Sequence, residues 1–144
     1  MNINAPIVPG VEAAGIVLGS QVAELISEER PNSVRQLYTC DVFEYRDVKI
    51  WADPSTGVID QIAVYGGYTG MTSDGLKIGT TLREVAEKIG RPYEDDEDCL
   101  MIEGLPGIAL ETSEWRREYS ETFSKYDPDA EVTHIFVIQP RQEC

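Results

Sequence analysis

The sequence has little of the material from which most enzyme active sites are built. It contains one histidine, His134, and three cysteines, Cys40, Cys99 and Cys144, with no C-x-x-C pair. An odd number of cysteines without such a pair indicates neither a disulfide framework nor a zinc site. One histidine offers little acid-base chemistry near neutral pH, and no phosphate loop or nucleophile elbow is present. We therefore predict that the protein is not an enzyme and has no catalytic residue, metal or cofactor.

Long apolar segments are also missing. No run approaches the roughly 20 apolar residues that a membrane-spanning helix requires. The chain opens with MNINAP, which is not the basic and apolar start of an export signal. These two absences predict a cytoplasmic protein.

Basic residues are scarce relative to acidic ones. The chain has 12 Lys and Arg against 26 Asp and Glu, for a net charge of -14. Such a surface repels phosphate backbones and anionic lipid, so we expect neither nucleic acid nor a membrane as a partner. It favours a basic protein partner, although the charge of an acidic domain often serves only solubility.

The acidic residues are most concentrated in one run of five carboxylates: Glu94, Asp95, Asp96, Glu97 and Asp98. A calcium loop alternates its ligands and includes a glycine turn, and this run has neither feature. Adjacent like charges repel one another and favour a solvated loop. Recognition of a basic protein surface and a plain solvated loop are the two remaining interpretations.

The chain contains two copies of one segment. GIVLGS begins at Gly15 and GLKIGT begins at Gly75, and each is followed by a Glu with an apolar neighbour and then by Arg-Pro. In the second copy, Thr81 and Glu84 have the spacing of a helix capping box. In the first, Ser20 is the expected cap of a helix that extends to about residue 29. Each copy therefore predicts a helix.

Apolar alternation predicts three strands after each helix. They lie near residues 36–45, 48–52 and 58–65 in the first half, and near 99–103, 108–111 and 131–138 in the second. The fold class is then α+β, with two α-β-β-β repeats forming one roughly six-stranded antiparallel sheet and the helices packed on one face. We predict a single domain over residues 1–144, with repeats at about 15–70 and 75–140.

The second repeat contains an insert at about residues 113–127. Its aromatic residues recur at helical spacing: Trp115, Tyr119, Phe123 and Tyr126. This stripe predicts a helix whose aromatic side either packs on the core or forms a recognition surface.

At the paired Gly-x-x-x-Gly-Ser/Thr segments, the chain resembles the tandem-repeat architecture of beta-lactamase inhibitory protein and the related small lipoprotein modules of outer-membrane assembly. The repeated order of helix and strand segments matches over residues 15–138, and the motif itself covers about a dozen residues of each helix segment. The resemblance implies a sheet that binds a protein. It carries over no contact residue, because the matching motif is structural, and this chain lacks the export features of that group.

These observations predict an acidic, cytoplasmic, bacterial protein-binding module that neutralises a basic partner, most concretely an immunity or inhibitor protein against a secreted toxin. The expected partner-binding residues are the acidic run and five aromatic side chains: Trp51, Tyr65, Tyr68, Trp115 and Tyr119. Two alternatives remain, an enzyme with a carboxylate site on the sheet and a structural or assembly module in which the sheet or its edge pairs with another copy.

Overall fold

The computed structural model describes residues 1–97, 99–113 and 128–139, and within these ranges the chain forms two short helices and ten strands. The helices are α1 (Val22–Glu28) and α2 (Leu82–Lys88). The strands are β1 (Glu12–Ala13), β2 (Ile16–Val17), β3 (Ser33–Gln36), β4 (Asp41–Tyr45), β5 (Val48–Ala52), β6 (Ile59–Tyr65), β7 (Pro92–Glu94), β8 (Leu100–Ile102), β9 (Ile108–Thr112) and β10 (Val132–Ile138).

Eight of these strands form one antiparallel sheet in the order β3-β4-β5-β6-β10-β9-β8-β7, and β1 and β2 form a separate two-stranded sheet. The predicted antiparallel sheet is confirmed. The prediction of a six-stranded sheet with helices packed on one face is wrong, because the fold is mostly β. Each helix has seven residues and is about 10 Å long, whereas eight strands span about 34 Å, so two such helices cannot form a covering layer.

The two additional strands of the large sheet are its edges, β3 and β7. The single strand predicted at 36–45 is a hairpin of β3 and β4, whose turn is closed by the Leu37 N–H donating to the Cys40 carbonyl at 2.9 Å. β7, which ends at Glu94 where the acidic run begins, was not predicted. Both strands are short, and all four residues of β3 are exposed. They therefore lack the apolar alternation by which a strand is recognised in a sequence.

The two halves of the chain make equivalent backbone hydrogen bonds. The N–H of Gly19 donates to the Ile59 carbonyl at 2.8 Å, and the N–H of Gly79 donates to the Val132 carbonyl at 2.8 Å. Gly19 and Gly79 have φ values of 89° and 95°, a region that glycine adopts without steric cost. Each glycine turn thus fixes the start of its helix against the neighbouring strand.

The helix starts differ between the halves. The predicted capping box of α2 is confirmed, because the Thr81 hydroxyl accepts from the Glu84 N–H and the Glu84 carboxylate accepts from the Thr81 N–H. The predicted cap of α1 is wrong. Its N-cap is Gln21, which makes no side-chain capping bond, and the Ser20 hydroxyl donates instead to the Val17 carbonyl at 2.6 Å.

The core lies on one face of the large sheet, which we call the inner face. In β5, Val48, Ile50 and Ala52 point to this face and are buried. The helices contribute Val22, Leu82 and Val85 to the same cluster, and the segments before the helices contribute Ile7, Ile16 and Leu76. Covering this wide sheet therefore requires irregular segments as well as helices.

Two sequence predictions concern membrane spans and the insert. Among the described residues, no helix is long and apolar enough to cross a membrane. Apart from Ser113, the helical insert predicted at 113–127 lies outside the described residues. So do Trp115, Tyr119, Asp98 and Cys144.

Candidate protein-binding face

The face of the sheet opposite the core, which we call the outer face, carries a concentration of aromatic side chains. Strand register places its central residues side by side: Lys49 and Trp51 from β5, Gln61, Ala63 and Tyr65 from β6, and His134, Phe136 and Ile138 from β10. Alternation along each strand sends these side chains away from the core. Most of them are half-buried, so they retain accessible surface.

Four rings form a continuous row on the outer face. Trp51 and Phe136 have ring centroids 6.1 Å apart, and Phe136 stacks on His134 at 6.1 Å with an interplanar angle of 15°. His134 in turn lies 5.2 Å from the ring of Tyr65. Aromatic pairs at these distances stabilise one another. The row is therefore held in place before any partner binds.

Charged groups border the row at its Tyr65 end. The Lys49 ammonium lies 5.7 Å from the centre of the Tyr65 ring, within the range of a cation–π interaction. The Glu111 carboxylate lies 3.3 Å from Nδ1 of His134, and the Thr133 hydroxyl is 2.9 Å from the same nitrogen. Burial, with a contribution from the charges of Glu44 and Asp47, raises the pKa of Tyr65. Tyr65 is therefore neutral over the physiological range.

Beside Phe136, in the middle of the row, the outer face opens into a cleft of about 570 Å³. Three of its lining residues are acids, Asp60, Glu97 and Glu111, and Phe136 forms part of its apolar wall. The pKa of Asp60 is raised, mainly by burial and further by the charge of Asp53. The cleft thus joins the aromatic row to the acidic run through Glu97.

The four described residues of the acidic run, 94–97, lie at the β7–β8 hairpin turn, at one edge of the sheet. Glu94 ends β7, and the following residues turn back towards β8. The Asp95 carboxylate accepts from the N–H groups of Glu97 and Cys99 at 2.9 and 3.0 Å. Asp95 therefore organises the turn, and among the described members of the run Glu97 is the one that lines the cleft.

The aromatic residues predicted as partner anchors have different environments. Trp51 and Tyr65 lie on the outer face, as described above. Tyr68 is 3% exposed, and both hydrogen-bonding functions of its hydroxyl are occupied by backbone groups. It is not accessible to a partner, so we remove it from the binding surface. The sequence did not identify Phe136 as an anchor, although it lies two positions from His134 on the same face of a strand, which was the available signal.

Comparisons with known proteins add little to this description. No family model matches the chain, and no curated protein matches it. A solved structure of a cysteine-rich secretory protein from Staphylococcus aureus has a TM-score of 0.47 and 14% sequence identity. The match covers 95% of this chain and 49% of that one, so this chain spans about half of its length. A likeness at this level carries no argument, and the resemblance to beta-lactamase inhibitory protein stays a prediction.

Proposed function

We propose that the protein is an acidic binding module whose outer face docks on a basic surface of a protein partner. The observation that carries this proposal is the row of four rings that borders an acid-lined cleft at Phe136. Protein interfaces draw most of their affinity from a few central aromatic anchors surrounded by polar groups. Trp51 and Phe136 are the two large apolar rings of this row and are the proposed anchors.

Charge supports the choice of a basic partner. Asp60, Glu97 and Glu111 line the cleft, and the whole chain has a net charge of -14. A field of this sign speeds the approach of a positively charged surface and repels an acidic one. A lysine or arginine side chain of the partner, entering beside Phe136, meets these three carboxylates and an aromatic ring.

The narrower form of the proposal is an inhibitor or immunity protein that acts in the cytoplasm of a bacterium against a basic toxin. What supports it is the combination of an acidic surface with a preformed aromatic face. Such a protein needs rapid encounter and slow dissociation. The acidic residues serve the first requirement, and the aromatic row serves the second.

The test uses the wild-type chain and matched variants as immobilised baits for proteins of the source cell. A partner identified in this way is then purified, and its affinity is measured for each variant. Trp51→Ala and Phe136→Ala should each weaken binding roughly 30-fold, as expected for anchor residues. Tyr38→Ala is the matched control, because Tyr38 is a fully exposed aromatic residue in the β3–β4 turn and belongs to neither the aromatic row nor the cleft lining. Equal effects of all three changes would contradict the proposal.

The contribution of charge is tested separately by association kinetics with the same purified partner. Reversing Glu94 and Asp96, members of the acidic run that do not line the cleft, to lysine should slow association and flatten its dependence on salt, while changing the dissociation rate little. Unchanged association rates would show that these acids serve solubility alone.

A carboxylate-based enzyme is the second candidate, and the cleft is the observation that favours it. Asp60 has a raised pKa in a cavity that also holds Glu97 and Glu111, and such acids are frequent at catalytic sites. Within the described ranges, no group of three or more His, Cys, Asp or Glu side chains is arranged to hold a metal ion. Hydrolysis of a panel of glycosides by the wild type, with loss in Asp60→Asn, would favour this candidate over a binding module.

A further inference from the structure

The two edges of the large sheet are protected to different degrees. At the β7 edge, Asp95 and Glu103 donate their N–H groups to the carbonyls of Cys99 and Arg91. These bonds determine which residues of β7 direct their backbone groups towards β8. Alternation then directs the backbone of Pro92 away from β8. Proline has no N–H to offer a further strand, and the neighbouring acidic run repels other acidic chains. This edge has the features that prevent strand addition.

The β3 edge lacks these protective features. The Leu37 N–H donates to the Cys40 carbonyl, so the backbone groups of Leu37 face β4. Because this direction alternates along a strand, the backbone groups of Arg35, two residues earlier, also face β4. Val34 and Gln36 then direct their N–H and C=O groups to the opposite side. No described strand lies on that side, and β3 contains neither proline nor an acidic residue.

Exposed apolar side chains accompany this open edge. Val34 and Leu37 are each 48% exposed, and Tyr38 is 100% exposed. Large apolar residues exposed together on one edge indicate an interaction surface. Segment 30–40 contains two arginines and no acid, in a chain whose net charge is -14. Two copies that meet at this segment therefore bring together no acidic side chain from within it.

We propose that β3 pairs antiparallel with β3 of a second copy, about a two-fold axis at Arg35. This register sets Val34 opposite Gln36 of the second copy, and Gln36 opposite its Val34. Each pair exchanges two backbone hydrogen bonds, so all four outward-facing groups of each copy are satisfied. The strand is thus self-complementary, as a two-fold interface requires.

Charge does not prevent this pairing. The two Arg35 side chains meet on the outer face, but each has its own counter-ion, because the Arg35 guanidinium lies 3.3 Å from the Glu44 carboxylate. The pairing therefore brings together two ion pairs and not two isolated cations. The inference is independent of the proposed function, because β3 lies outside the aromatic row and the cleft.

Sedimentation equilibrium up to roughly 100 µM protein provides the first test. The apparent mass of the wild type should rise with protein concentration towards twice 16.0 kDa. Val34→Pro removes one outward-facing donor from each copy and should raise the dissociation constant roughly 10- to 100-fold. Val34→Thr keeps the donor and is the matched control, with circular dichroism confirming that each variant is folded. A wild type that remains monomeric over this range would overturn the inference.

Disulfide trapping tests the register even if Val34→Pro fails to fold. In a background with Cys40, Cys99 and Cys144 changed to serine, Arg35→Cys places two thiols directly across the axis. The expected Cα separation of about 4.5 Å permits a disulfide. Mild oxidation should convert Arg35→Cys to a covalent dimer and leave Gln36→Cys largely monomeric. Equal or absent cross-linking of the two variants would refute this pairing.

Discussion

Replacing Tyr68 by phenylalanine tests whether one buried hydroxyl holds the N-terminal segment against the sheet. Tyr68 follows the Gly66-Gly67 turn after β6 and is 3% exposed. Its Oη accepts from the Ala14 N–H at 2.8 Å and donates to the Ala5 carbonyl at 2.6 Å. One side-chain oxygen therefore connects two backbone positions that are distant from it in the sequence.

The size of the effect follows from what the substitution leaves behind. Phenylalanine preserves the packing of the ring but leaves the N–H of Ala14 and the C=O of Ala5 without this partner, and both residues are buried. A buried backbone group that loses its hydrogen bond costs about 1–3 kcal/mol. The two backbone groups lose the same hydroxyl at one site, so their separate costs do not add in full. We therefore expect a total loss of about 2–4 kcal/mol from the free energy of unfolding.

Urea unfolding followed by tryptophan fluorescence measures this loss. With a slope of about 2 kcal/mol per molar urea, the midpoint of Tyr68→Phe should fall by about 1–2 M at an unchanged slope. Tyr65→Phe is the matched control, because the Tyr65 hydroxyl makes a single bond of 3.4 Å to the Tyr45 carbonyl at a half-buried site. Its loss should be below about 1 kcal/mol. If Tyr68→Phe and Tyr65→Phe lower the free energy of unfolding equally, the two short hydrogen bonds of the Tyr68 hydroxyl do not have the effect argued for them.

The pH dependence gives a second measurement on the same variant. Burial, partly opposed by the hydrogen bond from Ala14, raises the pKa of Tyr68 in the folded state. This difference stabilises the folded state in full at pH values below the pKa of a tyrosine in the unfolded chain, about 10. The stabilisation is lost as the pH rises through the pKa of Tyr68 in the folded protein. Tyr68→Phe should therefore show a shallower decline in stability above about pH 10 than the wild type.

Two further predictions concern the helix start and the cleft. Thr81→Ala should lower the free energy of unfolding by about 1 kcal/mol, whereas Gln21→Ala, at an N-cap without a side-chain bond, should change it little; comparable urea midpoints for both would contradict the capping argument. Asp60→Asn should stabilise the protein at pH 7, because the raised pKa of Asp60 reflects a carboxylate that folding disfavours. This gain, reduced by the solvent still around the side chain, should disappear below about pH 4, and a loss of stability at pH 7 would refute it.

The sequence predicted those elements whose signals are local. The capping box at Thr81 was correct because it depends only on two residue types at a fixed spacing. The strands predicted near residues 48–52 and 58–65 are present as the antiparallel pair β5 and β6, because two alternating runs flank a turn that Pro54 and Gly57 specify. Ser20 failed as a cap because its hydroxyl instead donates to the Val17 carbonyl of the preceding turn, and that competition has no sequence signature.

The binding face could be predicted only in part, because exposure depends on which residue ends a strand. Tyr65 and Tyr68 are three positions apart and look equivalent in the sequence. β6 ends at Tyr65, and Gly66 has a φ of 59°, so the chain turns and returns Tyr68 to the core. Phe136 joins Trp51 only through the pairing of β10 with β6 and of β6 with β5. Such long-range register is set by tertiary packing and not by the pattern of one strand.

The edge strands show the same limit, and they connect the two proposals. An edge strand is paired on one side only and must discourage unwanted pairing, so natural edges are short and polar, which removes the pattern that would reveal them.

A two-fold axis at Arg35 runs perpendicular to the sheet, because opposite residues of an antiparallel pair share one face. The outer faces of both copies then lie on the same side of one continuous sheet. A partner with two basic sites would bind the dimer with avidity, and Val34→Pro should remove that avidity while leaving the affinity of a single outer face unchanged.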